Sequence, residues 1–245
     1  MSPVRILIIT DIHSNIFALD AVLKDVGEFD AVWCLGDIVG YGPDPNDCIE
    51  RVRSLPNLTC LLGNHDAAVV NKINLDTFNT EAKNSVLWMQ SILSHENLTF
   101  LKGLTETAVI GEVTLAHGSP RNPIWEYILD TVVARINLGY FDTQLCFVGH
   151  THLPVYFYVE KNSIHIRWKI MTDKEKIYPS GRAIINPGSV GQPRDRDSRA
   201  SYAIYDSDQN IWELRRVAYD ITQVQERIYS IGLPARNAIR LSEGY

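Results

Sequence analysis

Apolar residues fall along this chain in short runs, and most of the runs end in a residue that can ligate or donate. Val4 to Thr10 is β-branched and apolar on both faces, as a central strand covered on both sides requires. Asp11-Ile12-His13-Ser14-Asn15 follows, with Ser14 or Asn15 placed to cap a helix that carries Phe17, Leu19, Val22, Leu23 and Val26. Ala31 to Leu35 predicts a second strand delivering Gly36-Asp37. Gly40, Gly42, Pro43 and Pro45 then make a loop, and Pro45 opens a short helix ending near Arg53. Leu58 to Leu62 is a third strand and runs into Gly63-Asn64-His65-Asp66. This β-α-β-α-β opening predicts a mainly parallel sheet with right-handed crossovers.

Between about 67 and 103 the spacing changes to a helical one through Ala82, Val86, Met89, Ile92 and Leu93, a helical excursion beside the strand ends. Thr107 to Ile110 and Val113 to Ala116 predict a tight hairpin about Gly111-Glu112, with His117-Gly118 after it. A loop around Pro120-Arg121-Asn122-Pro123 leads to two short helical segments ending near Leu138. Leu145 to Val148 is a buried strand ending in Gly149-His150-Thr151-His152. Val155 to Val159 and Ile164 to Trp168 alternate about a polar turn as a second hairpin. Ala183 to Ile185 leads to Asn186-Pro187-Gly188-Ser189-Val190-Gly191. Tyr202 to Tyr205 and Ile211 to Val217 pair antiparallel, and a helix near Ile221 to Ile228 follows. Without repeats, linkers or low-complexity stretches, residues 1–245 read as a single domain.

The 45% hydrophobic and 21% charged residues suit an ordinary globular protein with a large core. A net charge of -6 gives no general drive toward nucleic acid or anionic membrane, so an anionic substrate needs a local positive source such as a metal ion. Met1-Ser2-Pro3-Val4-Arg5 leads straight into a strand without a signal-peptide pattern, and no apolar run approaches the ~20 residues that span a bilayer. Cys34, Cys48, Cys60 and Cys146 form no C-x-x-C pair and read as reduced core thiols, so the expected compartment is the cytoplasm.

Five of the seven histidines, His13, His65, His117, His150 and His152, stand at strand ends beside Asp, Asn or Gly. His95 and His165 fall elsewhere and read as surface or packing residues. A lone histidine is usually structural; five at equivalent positions with Asp11 and Asp37 point to a metal site, because polar groups at strand carboxyl ends converge on one crevice. Asp, His and Asn offer hard oxygen and intermediate nitrogen donors, which suit Mn, Fe, Zn or Ni and exclude a thiolate site.

The order of these motifs resembles the calcineurin-like metallophosphoesterase superfamily, and small bacterial phosphoesterases in particular. D-x-H at Asp11 and His13, G-D at Asp37, G-N-H-D at Asn64 to Asp66, H-G at His117 and G-H-x-H at His150 and His152 carry the likeness. Each is short, but five in this order are specific. The resemblance implies a four-layer α/β/β/α sandwich with two mixed β-sheets. It also implies that Asp11, His13 and His152 hold one divalent ion, that Asn64, His117 and His150 hold a second, and that Asp37 bridges them, Mn being favoured. Two ions about 3.5–4 Å apart would acidify a shared water, and the bridging hydroxide would attack phosphorus in line. Asn64 and His65 would contact substrate, and His65 would protonate the leaving oxygen as general acid.

Serine/threonine protein phosphatases of this superfamily carry G-D-x-x-D-R-G; here Gly40 and Tyr41 replace the orienting Asp and a phosphate-binding Arg. The expected substrate is therefore a small phosphodiester or phosphomonoester, of nucleotide-like type, rather than a phosphoprotein. Arg121 is the first candidate for a phosphate-contacting arginine, with Arg194, Arg196 and Arg199 as others. A protein-binding scaffold on the same fold, as in the retromer subunit, is the alternative reading; retention of His65 argues for the enzyme. The sequence leaves homo-oligomerisation open.

Overall fold

The computed structural model describes residues 4–160, 163 and 165–245. Its first half comprises β1 (Arg5–Ile9), α1 (Ile16–Asp25), β2 (Ala31–Cys34), α2 (Pro45–Arg53), β3 (Leu58–Cys60), α3 (Asn64–Val69), a 3-10 turn (Leu75–Thr77), α4 (Thr80–Ile92) and α5 (His95–Lys102). There follow β4 (Thr107–Ile110), β5 (Val113–Ala116), α6 (Thr131–Asn137), β6 (Leu145–Phe147), β7 (Pro154–Val159), β8 (Ile166–Ile170), β9 (Lys176–Ile177), β10 (Ala183–Pro187), β11 (Ala200–Asp206), β12 (Ile211–Val217), α7 (Ile221–Ser230) and α8 (Ala235–Glu243).

The strands form two six-stranded mixed sheets, ordered β3-β2-β1-β11-β12-β9 and β4-β5-β6-β10-β7-β8. In the first, β1, β2 and β3 are parallel and β11, β12 and β9 pair antiparallel. In the second, β5, β6 and β10 are parallel, with antiparallel strands on either side. Each sheet thus contributes three parallel strands whose carboxyl ends meet at one edge of the sandwich.

Ile6, Ile8, Trp33, Leu35, Phe147, Ile185, Tyr205 and Trp212 pack between the sheets. The outer face of the first sheet is covered by α1, α2 and α4 through Leu19, Val22, Ile49, Val52, Val86 and Met89. The outer face of the second is covered by α6 and the segment before it, through Ala134 and Ile128. The result is the α/β/β/α sandwich. β1 is apolar on both sides because it lies between the inter-sheet core and this helical layer.

Local chemistry fixes the element ends. The Asn15 side chain accepts from Ala18 N at 3.1 Å and starts α1, Pro45 opens α2, and Gly111 turns the β4–β5 hairpin at a φ of +57°. Residues 67–103 hold the end of α3, the 3-10 turn, α4 and α5.

Other elements depart from the sequence reading. One helix, not two, lies between Pro120 and Leu138: Asp130 accepts from Val132 N and Val133 N and so fixes the start of α6, while Glu126 is drawn to Ser119, Arg121 and Asn137. The second hairpin pairs Val159 with Ile166 and Val155 with Ile170, so its returning strand lies two residues later than expected; Ile164 lies outside the described residues, as do Met1, Ser2 and Pro3. β9, with two residues, gives no periodic signal, and in α8 a buried Asn237 interrupts the apolar stripe of Ala238 and Leu241. Among the described residues no helix is long and apolar enough to cross a membrane, and Cys34, Cys48, Cys60 and Cys146 are free thiols.

Phe147 is fully buried, with its ring 5.8–6.5 Å from those of Trp33, Tyr205 and Trp212 on the opposite sheet. Phe147→Ala should therefore destabilise the protein by ~3–5 kcal/mol, read as a lower denaturation midpoint with an unchanged slope; a loss well under 1 kcal/mol would show that this aromatic cluster does not hold the sheets together.

Candidate metal centre

Five of the six parallel strand ends deliver the candidate ligands. Asp11 follows β1, Asp37 follows β2, Asn64 follows β3, His117 follows β5, and His150 and His152 follow β6. All are buried. The loops stay in register beyond the strands, with Asp11 N donating to Gly36 O at 3.0 Å, His13 N to Asp37 O at 3.0 Å and Gly149 N to His117 O at 2.8 Å.

Asp11, His13, Asp37, His150 and His152 all have positive φ, between +48° and +64°. Side chains rarely adopt this backbone region, and strain gathered in this way is a mark of functional loops. It is held in place by Ser189 Oγ donating to Asp11 O at 2.8 Å, Asn15 Nδ2 donating to Gly191 O at 3.0 Å and Asn186 Nδ2 donating to Gly149 O at 2.5 Å. Asn186 to Gly191 thereby ties the ends of both sheets together.

The imidazoles are oriented by backbone carbonyls. His13 Nδ1 lies 3.1 Å from Val39 O, His152 Nδ1 2.6 Å from Gln192 O and His117 Nδ1 3.1 Å from Leu35 O. A carbonyl only accepts, so each Nδ1 carries a proton and each Nε2 presents a lone pair whenever the ring is neutral. These lone pairs face one another and other acceptors. The Nε2 atoms of His13 and His152 are 3.1 Å apart, and Asp11 Oδ1, buried without a hydrogen bond, is 3.3 Å from His152 Nε2 and 3.7 Å from His13 Nε2. Across the site His117 Nε2 is 3.2 Å from Asn64 Oδ1 and 3.4 Å from Asp37 Oδ2, and His150 Nε2 is buried without a partner. Asp37 Oδ2 also stands 3.7 Å from His13 Nε2, between the two groups, while its Oδ1 accepts from His65 N at 2.9 Å.

The neutral His13 and His152 rings and Asp11 Oδ1 face one another without a proton between them, and a cation among them removes the repulsion. The donor set of carboxylate, imidazole and amide oxygen suits a divalent ion, and Asp11–His13–His152, His13–Asp37–His65 and Asp37–His117–His150 each bring their ligand atoms within 4.8 Å of one another. The residues fit a metal centre.

Electrostatics agree with this. Burial works to raise the carboxyl pKa values, but His152 and His117 around Asp11, and His117 and His65 around Asp37, outweigh it and hold both groups well below the usual range. Burial lowers His13, His65 and His152 and, with His117, takes His150 to about 3, so these rings are neutral near pH 7. Burial also works against charge on His117, but Asp37 and Asp11 prevail and draw it up to about 9. Metal binding needs the neutral ring, so an ion would displace the His117 proton.

His65 lines the open side of the cluster, and its Nδ1 has no hydrogen-bond partner. Asp66 does not orient this ring, because its two oxygens accept from Val39 N at 3.1 Å and Gly63 N at 3.0 Å. Gly40 leaves space for both His13 and His65: a Cβ there would lie 2.6 Å from His65 Nδ1 and 2.8 Å from His13 Nδ1. The departure from the protein-phosphatase pattern at this position thus has a steric reason.

Above the ligands is a cavity of about 90 Å³ lined by His65, Phe78, Trp125, Tyr127, His150 and Arg194 among others. Arg121 is not among the lining residues; its guanidinium pairs with Glu126. Arg199 pairs with Asp173 and Asp197, Arg196 is exposed, and Arg194 alone of the four lines the cavity. Trp125, Tyr127 and Phe78 were not singled out by sequence reasoning; they lie on irregular segments, where an aromatic residue carries no periodic signal.

Fold and ligand cluster together define a metal-binding α/β sandwich of hydrolase type. The calcineurin-like phosphoesterase superfamily domain matches residues 4–210, and the chain belongs to that superfamily. It is 42% identical over 237 residues to an uncharacterized protein of Methanocaldococcus jannaschii, covering 94% of this chain and 93% of that one. Over 63 residues, 24% of this chain and 22% of the relative, it is 38% identical to the symmetrical bis(5'-nucleosyl)-tetraphosphatase of Pectobacterium atrosepticum. The crystal structure of a metallophosphoesterase from Sphaerobacter thermophilus matches with a TM-score of 0.90 and 44% identity, covering all of both chains.

A cluster of facing acceptors is relieved only when a cation is present, so divalent ions should raise the melting temperature and a chelator should reverse the rise. At 100 times the dissociation constant the gain is about 2.7 kcal/mol per site. Identical melting with Mn, Zn, Ni and chelator, checked by calorimetry, would count against a metal centre.

Proposed function

We propose that the protein is a binuclear metal-dependent phosphoesterase acting on small, nucleotide-like phosphodiesters or phosphomonoesters. The observation that carries this reading is the position of Asp37 Oδ2 between two sets of facing acceptors, 3.7 Å from His13 Nε2 and 3.4 Å from His117 Nε2. Asp11, His13 and His152 would hold one ion, Asn64, His117 and His150 the other, and Asp37 both. Two divalent ions, with Mn favoured, supply Lewis acidity toward phosphoryl oxygens and an acidified water nucleophile when bound.

His65 faces the cavity as the group that would protonate the leaving oxygen. Burial holds it near a pKa of about 4, so the negative charge of an entering phosphate must draw the proton onto it. A scaffold would have no use for such a group. A nucleotide-like substrate is supported by the aromatic wall: Tyr127 stacks on His150 with centroids 4.0 Å apart, is 44% exposed and leaves its outer face to a planar ring. The partial likeness to a dinucleoside tetraphosphatase points the same way. The free thiols agree with a cytoplasmic location.

Asp37→Ala should abolish hydrolysis and weaken retention of both ions, whereas His117→Ala should weaken one preferentially; elemental analysis and titration calorimetry measure this. If Asp37→Ala keeps two ions with unchanged affinity, the shared-carboxylate assignment falls.

As a general acid, His65 matters more as the leaving oxygen becomes more basic. His65→Ala should lose ~100- to 10,000-fold on an alkyl phosphate and much less on a nitrophenyl ester. Equal losses, with metal content verified in both preparations, would remove the acid role and leave the metal site intact. No turnover of any ester by the wild type loaded with two ions would favour the scaffold.

A further inference from the structure

We infer that Arg194 grips the non-bridging oxygens of the substrate phosphoryl group, an assignment that rests on the phosphoesterase reading above. Among the described residues lining the cavity it is the one lysine or arginine. Among the described residues it also pairs with no carboxylate, whereas Arg121, Arg199, Arg216 and Arg227 all do. An arginine committed to structure would have its guanidinium spoken for; this one is held at its edges and left open.

The holding contacts are specific. Arg194 Nη2 donates to Gln192 Oε1 at 3.0 Å, and the guanidinium carbon lies 5.9 Å from the Tyr41 ring centroid. Its Nε is buried without a partner. A buried N–H of a charged group left unpaired costs stability unless a ligand accepts from it. Gln192 is itself buried, donates its N–H to Ser189 Oγ at 2.8 Å and accepts at its carbonyl from His152 Nδ1. Arg194 is therefore anchored through Gln192 to the same loop that orients a candidate metal ligand, which sets its distance from the ions.

Tyr41 clarifies the arrangement. It stands where the protein-phosphatase pattern has a phosphate-binding arginine, and its ring is 4.9 Å from that of His13 and 4.6 Å from that of His65. The cation has moved from that loop to the one after β10, and the tyrosine has become the surface on which it rests. A planar fork of N–H donors matches the oxygens of a phosphoryl group, and a lysine ammonium provides neither the fork nor the stacking plane.

The test uses the full chain loaded with divalent metal and inorganic phosphate as the probe. In Arg194→Ala phosphate inhibition should weaken about 10- to 150-fold, the range expected for charge-assisted hydrogen bonds. KM should rise more than kcat falls, while metal content and melting temperature stay those of the wild type. Arg194→Lys should recover only part of the loss. If Arg194→Ala proves unstable, Arg194→Gln carries the same comparison. Unchanged phosphate inhibition and KM in a variant of an active enzyme would overturn the inference and leave the proposed function standing. A metal-loaded wild type that neither turns over esters nor binds phosphate would overturn both.

Discussion

The structure depends on a cluster of buried acceptors that face one another across the meeting point of two sheets. His13 and His152 turn lone pairs toward each other at 3.1 Å, and the His117 Nε2 that an ion would deprotonate faces Asn64 and Asp37. Such a cluster is unfavourable in a fold that merely needs to be stable, and the backbone carbonyls of Val39, Leu35 and Gln192 enforce it by fixing the Nδ1 proton on each ring. The strain of five positive-φ ligand residues adds to the cost, at about 1–3 kcal/mol each. Hydrogen bonds from Asn15, Asn186 and Ser189, and the two packed sheets behind them, offset it.

The parallel strands explain why the candidate ligands stand out in the sequence. Each of these residues follows an apolar run, so the polar break in the pattern marks both the strand end and the candidate ligand. Asp11, Asp37, Asn64, His117 and His150 all sit at such breaks, and the structure brings them together. The same logic recovered both sheets in outline and the opening β-α-β-α-β, because β-branched runs and capping residues such as Asn15 and Pro45 act locally.

What was not legible depends on contacts distant in sequence. Arg121 and Arg194 look alike along the chain. Only the fold gives Arg121 a carboxylate at Glu126, five residues on, and sends Arg194 into the cavity beside Tyr41. The sequence predicts two short helical segments between Pro123 and Leu138, and only the second forms. The carboxylate of Glu126 instead ties the first segment to Ser119, Arg121 and Asn137 as an irregular loop, which frees Tyr127 to stack on His150. A buried Asn237 hid α8, since a polar residue in the apolar stripe reads as solvent-facing.

That asparagine connects the end of the chain to the site. Its Nδ2 donates to Tyr41 O and to Ser85 Oγ, both at 3.0 Å, so α8 fastens the loop beneath the Tyr41 ring to α4. Arg227 of α7 pairs with the buried Asp44 three residues beyond Tyr41, and Arg196 N donates to Gly244 O at 2.7 Å, pinning the segment that carries Arg194. These helices lie beyond the 4–210 stretch matched by the superfamily. Their polar contacts fall on the two loops that bear Tyr41 and Arg194, the side of the cavity where this chain departs from the protein-phosphatase pattern. The candidate metal ligands are set by the sheets. Arg194 and the ring beneath it are held by helices outside that stretch, so this cavity wall can vary while the candidate ligands stay fixed.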